Sequence, residues 1–352
     1  MKVNSRVLDV QQETEVGKAF RSELEKAVVS QKPAIDYFIA LLERYKSRLV
    51  SSNKPIGSVL FTGPTGAGKT FATESFAELL QATVPHDWRK TMLRIDCGEF
   101  QHTHEIAKLI GSPPGYLGHN ETEPLLSPRR IRELQAGAPA FPFAIRLFDE
   151  IEKASNALWH MMLAILDKGS ITLGTNVNVD LTQTVIVLTS NAGFEQQGDK
   201  FGFEVPDKVL PPEEIAKIGA EAAKRKFTIE FINRLDAVIA FKSLSREEVS
   251  QIIDRELTKL QLEVFAKCEP KVPFRLTQAA LKALLDEGYD KKYNARNAKR
   301  AIDVHLRVPL ARIFGGKLVT EEEAVIVDYV QTEYVFRTCP IALISHNWES
   351  LL

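Results

Sequence analysis

Gly63-Pro64-Thr65-Gly66-Ala67-Gly68-Lys69-Thr70 reads G-x-x-x-x-G-K-T, the pattern of a phosphate-binding loop. Before it, Val59-Leu60-Phe61 has the continuous apolar character of a buried strand; after it, Phe71 to Leu80 has helical spacing. Strand, glycine-rich turn and helix are the context the motif needs. The glycines let successive backbone N–H groups turn inward around a polyphosphate, which then lies at the positive end of the following helix. Lys69 is expected to reach the β- and γ-phosphates, and Thr70 to hold Mg²⁺ through its hydroxyl. The alternative is a glycine-rich turn with an incidental Lys-Thr, and the flanking strand and helix argue against it.

Outward from this loop, Thr91 to Asp96 reads as a second strand, and Phe143 to Phe148 as a third that ends in Asp149-Glu150. A carboxylate pair at the carboxyl end of a buried strand, beside a phosphate loop, is what ATP hydrolysis requires. Asp149 is expected to bind Mg²⁺ through its water shell, and Glu150 to take a proton from the attacking water. Arg146 interrupts this third strand, where a parallel sheet calls for apolar residues. It marks either a strand nearer the surface or an inward charge with a partner. Thr184 to Thr189 reads as a further strand ending at Ser190-Asn191, whose amide has the chemistry to orient a water or to cap a turn. Strands alternating with helices through residues 55–190 predict a parallel α/β sheet with ligand at the carboxyl ends of its strands.

Composition bounds what the loop belongs to. With 352 residues, 44% hydrophobic and 26% charged, the chain has material for a large core and a second domain. A net charge of −1 provides no global positive field for nucleic acid or an anionic membrane. No apolar run approaches the ~20 residues of a membrane span, and Met1 to Arg6 lacks the apolar core of a secretion signal, so a cytoplasmic protein is expected. Cys97, Cys268 and Cys339 are too dispersed for a disulfide framework or a zinc pair and read as buried free thiols. His102 and His104, without cysteine partners, read as solvated loop residues.

Thr14 to Val28 and Ala34 to Leu49 read as helices, Ser155 to Asp167 as another, and Gly169 to Asn178 as a polar hairpin. Gly111-Ser112-Pro113-Pro114-Gly115-Tyr116-Leu117-Gly118 holds an aromatic residue between glycines in an exposed loop, a usual place for function. A tyrosine folded back onto its own domain is the bland reading.

Pro55-Ile56-Gly57, the Ile110 to Tyr116 loop, Asp149 to Ala154, Thr189-Ser190-Asn191, Phe231 to Asp236 and Gly288-Tyr289-Asp290 together resemble the Clp family of AAA+ ATPases. The likeness is to the second ATPase ring of ClpA, ClpB and ClpC, and covers roughly residues 25 to 330. It implies an AAA+ P-loop α/β domain at 25–243, preceded by a helical extension at 1–24, and a small, mostly helical lid at 244–330. Residues 331–352 form a tail that resembles nothing placed, with Ile341 to Ile344 as a strand or a docked end. The resemblance makes Asn191 the first sensor, Arg234 an arginine finger reaching into a neighbouring subunit, and Arg296 the second sensor. Asn294 stands where the family has glycine. Tyr116 matches the pore-loop aromatic that grips polypeptide.

In the lid region, Ser245 with Glu248 three residues on is a capping box before an amphipathic stripe from Val249 to Val264. Thr277 to Asp286 and Ala295 to Phe314 read as helices, the latter kinked at Pro309, and Ala324 to Tyr329 as a closing strand. The expected function is an ATP-driven unfoldase, a homo-hexamer using ATP and Mg²⁺ to thread a protein substrate through its pore, with an adaptor as a further partner. Three other readings compete with it. One is an ATPase that docks a peptidase, for which Phe201-Gly202-Phe203 occupies the region of the family's docking loop. Another is a nucleotide-gated scaffold. The last is a nucleic-acid-associated AAA+ protein, for which Arg129, Arg130 and Arg132 form a local basic cluster and against which the near-neutral charge argues.

Overall fold

The computed structural model describes residues 9, 12–81, 87–112, 115, 123–192, 212–290 and 294–343. It divides into two compact units, Met1–Gly63 with Gly68–Phe241, and Pro64–Ala67 with Lys242–Leu352. The first unit begins with α1 (Glu15–Ala27) and α2 (Lys32–Lys46), then β1 (Gly57–Thr62) and α3 (Lys69–Leu79). Next come β2 (Met92–Asp96), α4 (Ala107–Ile110), α5 (Pro128–Ala136), β3 (Ala144–Asp149) and α6 (Asn156–Lys168). A short hairpin of β4 (Ser170–Thr172) and β5 (Asn178–Asp180) leads to β6 (Thr184–Ser190), α7 (Pro212–Lys226), α8 (Ile229–Ile232) and β7 (Ala237–Ala240). Side-chain hydroxyls start three of these helices: Thr14, Ser127 and Thr228 each accept an N–H of the following first turn.

The five-stranded sheet has the order β2-β3-β6-β1-β7, parallel throughout. β1, β3 and β6 are buried at every position, which is why they read as apolar runs. Helix α6 supplies Leu158, Met162, Ile165 and Leu166 to the core cluster that also holds Phe148, Ile186 and Leu188 of the sheet. Register places Thr62 opposite Ser190 and Asp96 opposite Asp149, so the carboxyl ends of the strands form one rim.

Arg146 is fully buried on β3, opposite Leu93 of β2 and Ile186 of β6. The reading of a strand near the surface is therefore wrong. Nor does its guanidinium have the expected partner: all three nitrogens lack a hydrogen bond among the described residues. Burial, and secondarily the charge of Arg130, push its pKa down to about 10.

In the second unit, Ser245 and Glu248 form the expected capping box at the start of α9 (Arg246–Lys267). β8 (Phe274–Leu276), α10 (Gln278–Gly288) and α11 (Ala295–Ile302) follow. The single kinked helix expected over Ala295–Phe314 is instead α11, a π turn at Asp303–Arg307, and α12 (Val308–Gly315). Pro309 then falls directly after the π turn, whose wide geometry takes up the break that the missing N–H makes in an otherwise continuous helical run.

β9 (Glu323–Val330) is not a closing strand but the centre of a three-stranded sheet, parallel to β8 on one side and antiparallel to β10 (Glu333–Pro340) on the other. The stretch read as a tail thus begins with a strand, and Ile341–Leu343 is a 3-10 turn rather than a strand. Gln331 and Thr332 make the β9–β10 turn at φ +48° and +72° without glycine or asparagine, so the usual hairpin signal is missing. Of the three thiols only Cys97 is buried; Cys268 and Cys339 are half-buried. No helix among the described residues is long and apolar enough to cross a membrane.

Candidate functional site

β1 delivers the chain to Gly63, whose N–H donates to Ser190 O at 3.2 Å. A Cβ at Gly63 would lie 2.7 Å from Phe241 O, so only glycine fits this close backbone approach. Gly66 and Gly68 turn the loop at φ +76° and +95°. Gly68 is also the N-cap of α3 and brings no capping side chain to it, and a helix N-terminus is where an anion is favoured. Lys69 is buried, and its ammonium donates to Gly63 O and to Asn191 Oδ1, each at 2.7 Å.

Asp149, at the end of β3, gathers donors from three elements. Thr70 donates its hydroxyl at 3.1 Å to Oδ1, Thr189 donates to the same oxygen, and Arg94 Nη2 donates to Oδ2 at 2.6 Å. A carboxylate beside a threonine hydroxyl is the hard-oxygen donor set that suits Mg²⁺, and Thr70 and Asp149 are the residues that would hold it. Glu150 sits in the left-handed region at φ +56°, its N–H donating to Thr189 Oγ1 at 3.0 Å. Its carboxylate accepts from Asn191 Nδ2 at 3.2 Å and from the Lys153 ammonium, whose pKa is raised chiefly by that bond.

Asn191 is the hub of this cluster. Its amide oxygen faces the Lys69 ammonium and its amide nitrogen faces the Glu150 carboxylate, an orientation only one flip state satisfies. Glu152 fixes the backbone there by accepting from Asn191 N–H at 2.8 Å. The first unit thus brings together Gly63, Gly68, Lys69, Thr70, Asp149, Glu150 and Asn191 along the rim of the sheet.

Arg234 stands outside the cluster, after α8: it donates to Glu230 at 2.9 Å and to Leu163 O at 3.3 Å. Arg296 is exposed on α11 of the second unit. Asn294, the N-cap of α11, adopts φ +48°, a region glycine occupies most readily, and its Oδ1 accepts from Leu244 N at 2.8 Å. Tyr116 and Phe201-Gly202-Phe203 lie outside the described residues. Arg94, which also pairs with Glu74 at 3.3 Å, is the residue sequence reading missed. The signal available was a cation in β2 two residues before Asp96, which register sets opposite Asp149.

With that geometry in view, residues 54–238 match the family described as AAA domain (Cdc48 subfamily). The chain belongs to this family. Residues 244–327 match the C-terminal, D2-small domain of ClpB protein. Among curated relatives, chaperone protein ClpB of Meiothermus ruber is 38% identical over 299 residues, covering 84% of this chain and 32% of that protein. Chaperone protein ClpB 2 of Thermosynechococcus vestitus is 35% identical over 314 residues, covering 89% and 33%. A solved structure, the closed state of Hsp104 with ATPγS and FITC casein, aligns with a TM-score of 0.72 at 26% identity, covering 92% of this chain and 52% of that one. This AAA+ chain is therefore of the Clp type and resembles a second ATPase ring, and it spans about a third of the length of the curated relatives it matches.

Proposed function

We propose that this Clp-type chain hydrolyses ATP to unfold or remodel protein. The observation that carries the reading is the continuous network from the Lys69 ammonium through the Asn191 amide to the Glu150 carboxylate, beside the Asp149–Thr70 pair. Lys69 and the N-terminus of α3 bind the β- and γ-phosphates. Thr70 and Asp149 would hold Mg²⁺, which would supply positive charge against the phosphates. Glu150 takes the proton of the attacking water at its carboxylate, and Asn191 orients both Glu150 and that water. Arg234 completes a neighbour's site across a subunit boundary, Arg296 links the lid to nucleotide state, and Tyr116 grips polypeptide in the pore of a homo-hexamer in the cytoplasm.

The protein-remodelling half rests on relatives named as chaperones and on the FITC casein present with Hsp104 in its solved closed state. The test is steady-state ATP turnover of the purified chain with and without unfolded casein, for the wild type and for Tyr116→Ala. Stimulation by casein that Tyr116→Ala removes, with basal turnover retained, is the expected result. Absence of turnover at concentrations that assemble a ring would overturn the motor in favour of a nucleotide-gated scaffold.

A further inference from the structure

Among the described residues, β2 is the outermost strand of its sheet, bonded to β3 on one side only. A free strand edge is a template for an added extended chain. Along Met92–Arg94 of β2 runs a cavity of about 650 Å³, walled also by the Trp88–Lys90 turn and by α5 from Arg129 to Leu134. This volume lies in the range of a ligand-sized cleft.

The walls are cationic. Arg89, Lys90, Arg94, Arg129 and Arg130 face one lining carboxylate, Glu133. Arg94 is committed to Asp149, and Arg129 to Glu123 at 2.7 Å. The others are weakly held: Arg130 reaches Glu123 at 3.9 Å, Arg89 reaches Asp87 at 3.8 Å, and the Lys90 ammonium has no partner among the described residues. Close by is Arg146, opposite Leu93 in register, its buried guanidinium without a hydrogen bond among the described residues and repelled by Arg130. Positive charge here exceeds what the neighbouring carboxylates engage closely. Between the cations, Met92, Leu93 and Leu134 give an apolar floor.

We propose that this groove binds an acidic, extended segment of a partner protein, its backbone pairing along the free edge of β2 and its carboxylates meeting Lys90, Arg89 and Arg130. A nucleic acid fits less well. The one aromatic ring on the walls, Trp88, already has the Arg89 guanidinium over it at 5.3 Å, so it is poorly placed as a base-stacking platform. The free strand edge, moreover, matches a peptide backbone and has no counterpart in a phosphodiester chain. This site is separate from the ATP reading and stands whether or not the chain hydrolyses ATP.

The experiment titrates the full chain, saturated with ADP and Mg²⁺, into a fluorescein-labelled octapeptide of alternating Glu and Val, read by anisotropy. Expected are binding that weakens with salt, a loss of at least about tenfold in the Lys90→Glu/Arg130→Glu double variant, and a comparable loss when alternate peptide nitrogens are methylated. ADP affinity and the thermal midpoint report that the double variant is folded. The proposal is overturned if the double variant binds the peptide as the wild type does. It is equally overturned if methylation has no effect, or if oligo-dT binds with dependence on Lys90 and Arg130 while the peptide does not.

Discussion

β1 and β3 flank β6, each six residues long and each buried at every position, yet they are chemically unlike. β1 is apolar from Val59 to Phe61 and runs into the glycine turn that shapes the phosphate loop. β3 carries in its middle an arginine with no hydrogen-bond partner among the described residues, and two carboxylates at its end. The difference teaches that burial alone does not fix what a strand tolerates. β1 supplies the binding half of the site, where backbone shape is critical. β3 supplies the reacting half, where the donors around Asp149 and Glu150 hold the end of the strand in place while its middle bears an electrostatic penalty.

The largest effects separate the two ends. Glu150→Gln, after β3, is expected to lower ATP turnover by about 10²–10⁴ while fluorescent ADP still binds. Lys69→Ala, after β1, is expected to lose nucleotide binding itself. If both variants lose binding alike, the division between the halves fails. Gly63→Ala comes next, because its Cβ would press on Phe241 O at 2.7 Å. Relief by backbone movement is expected to cost about 1–3 kcal/mol, read as a lower urea midpoint, with weaker nucleotide binding.

Arg146→Met tests the other strand and carries the opposite sign. Replacing a buried charge by an apolar side chain of similar length is expected to stabilise by about 1–4 kcal/mol. A lowered urea midpoint would break the comparison, since it would mean that β3 depends on this charge. The smallest and most specific effect is on pH. The folded-state pKa of Arg146 is depressed to about 10 from 12.5. Between these values the unfolded chain holds a proton that the native state releases, so stability from this group rises as pH climbs through about 10. The gap in urea midpoint between wild type and Arg146→Met should therefore narrow from pH 9 to pH 11.

Much of the first unit was legible because its chemistry sits at strand ends. Lys69, Asp149, Glu150 and Asn191 each follow an apolar run, and a parallel sheet brings such positions to one rim. Arg94 was not legible, because it lies within a strand and its meeting with Asp149 depends on the β2–β3 register. Nor was β10, whose turn places Gln331 and Thr332 at positive φ with none of the residues that announce it. Arg146 was visible as an anomaly, but its lack of a partner is a fact of three-dimensional neighbours. The π turn before Pro309 was hidden because proline signals a break without saying which geometry absorbs it.

Asn191 sets how this position can evolve. Aspartate differs from it by one side-chain heavy atom, nearly without change in volume, and would fit the same space. Yet the amide nitrogen that now donates to Glu150 would become an oxygen, facing one carboxylate with another, and Lys69 would be drawn into an ion pair. The mildest exchange by size is thus among the most disruptive by charge, and substitution matrices that score Asn and Asp as neighbours will misjudge this site.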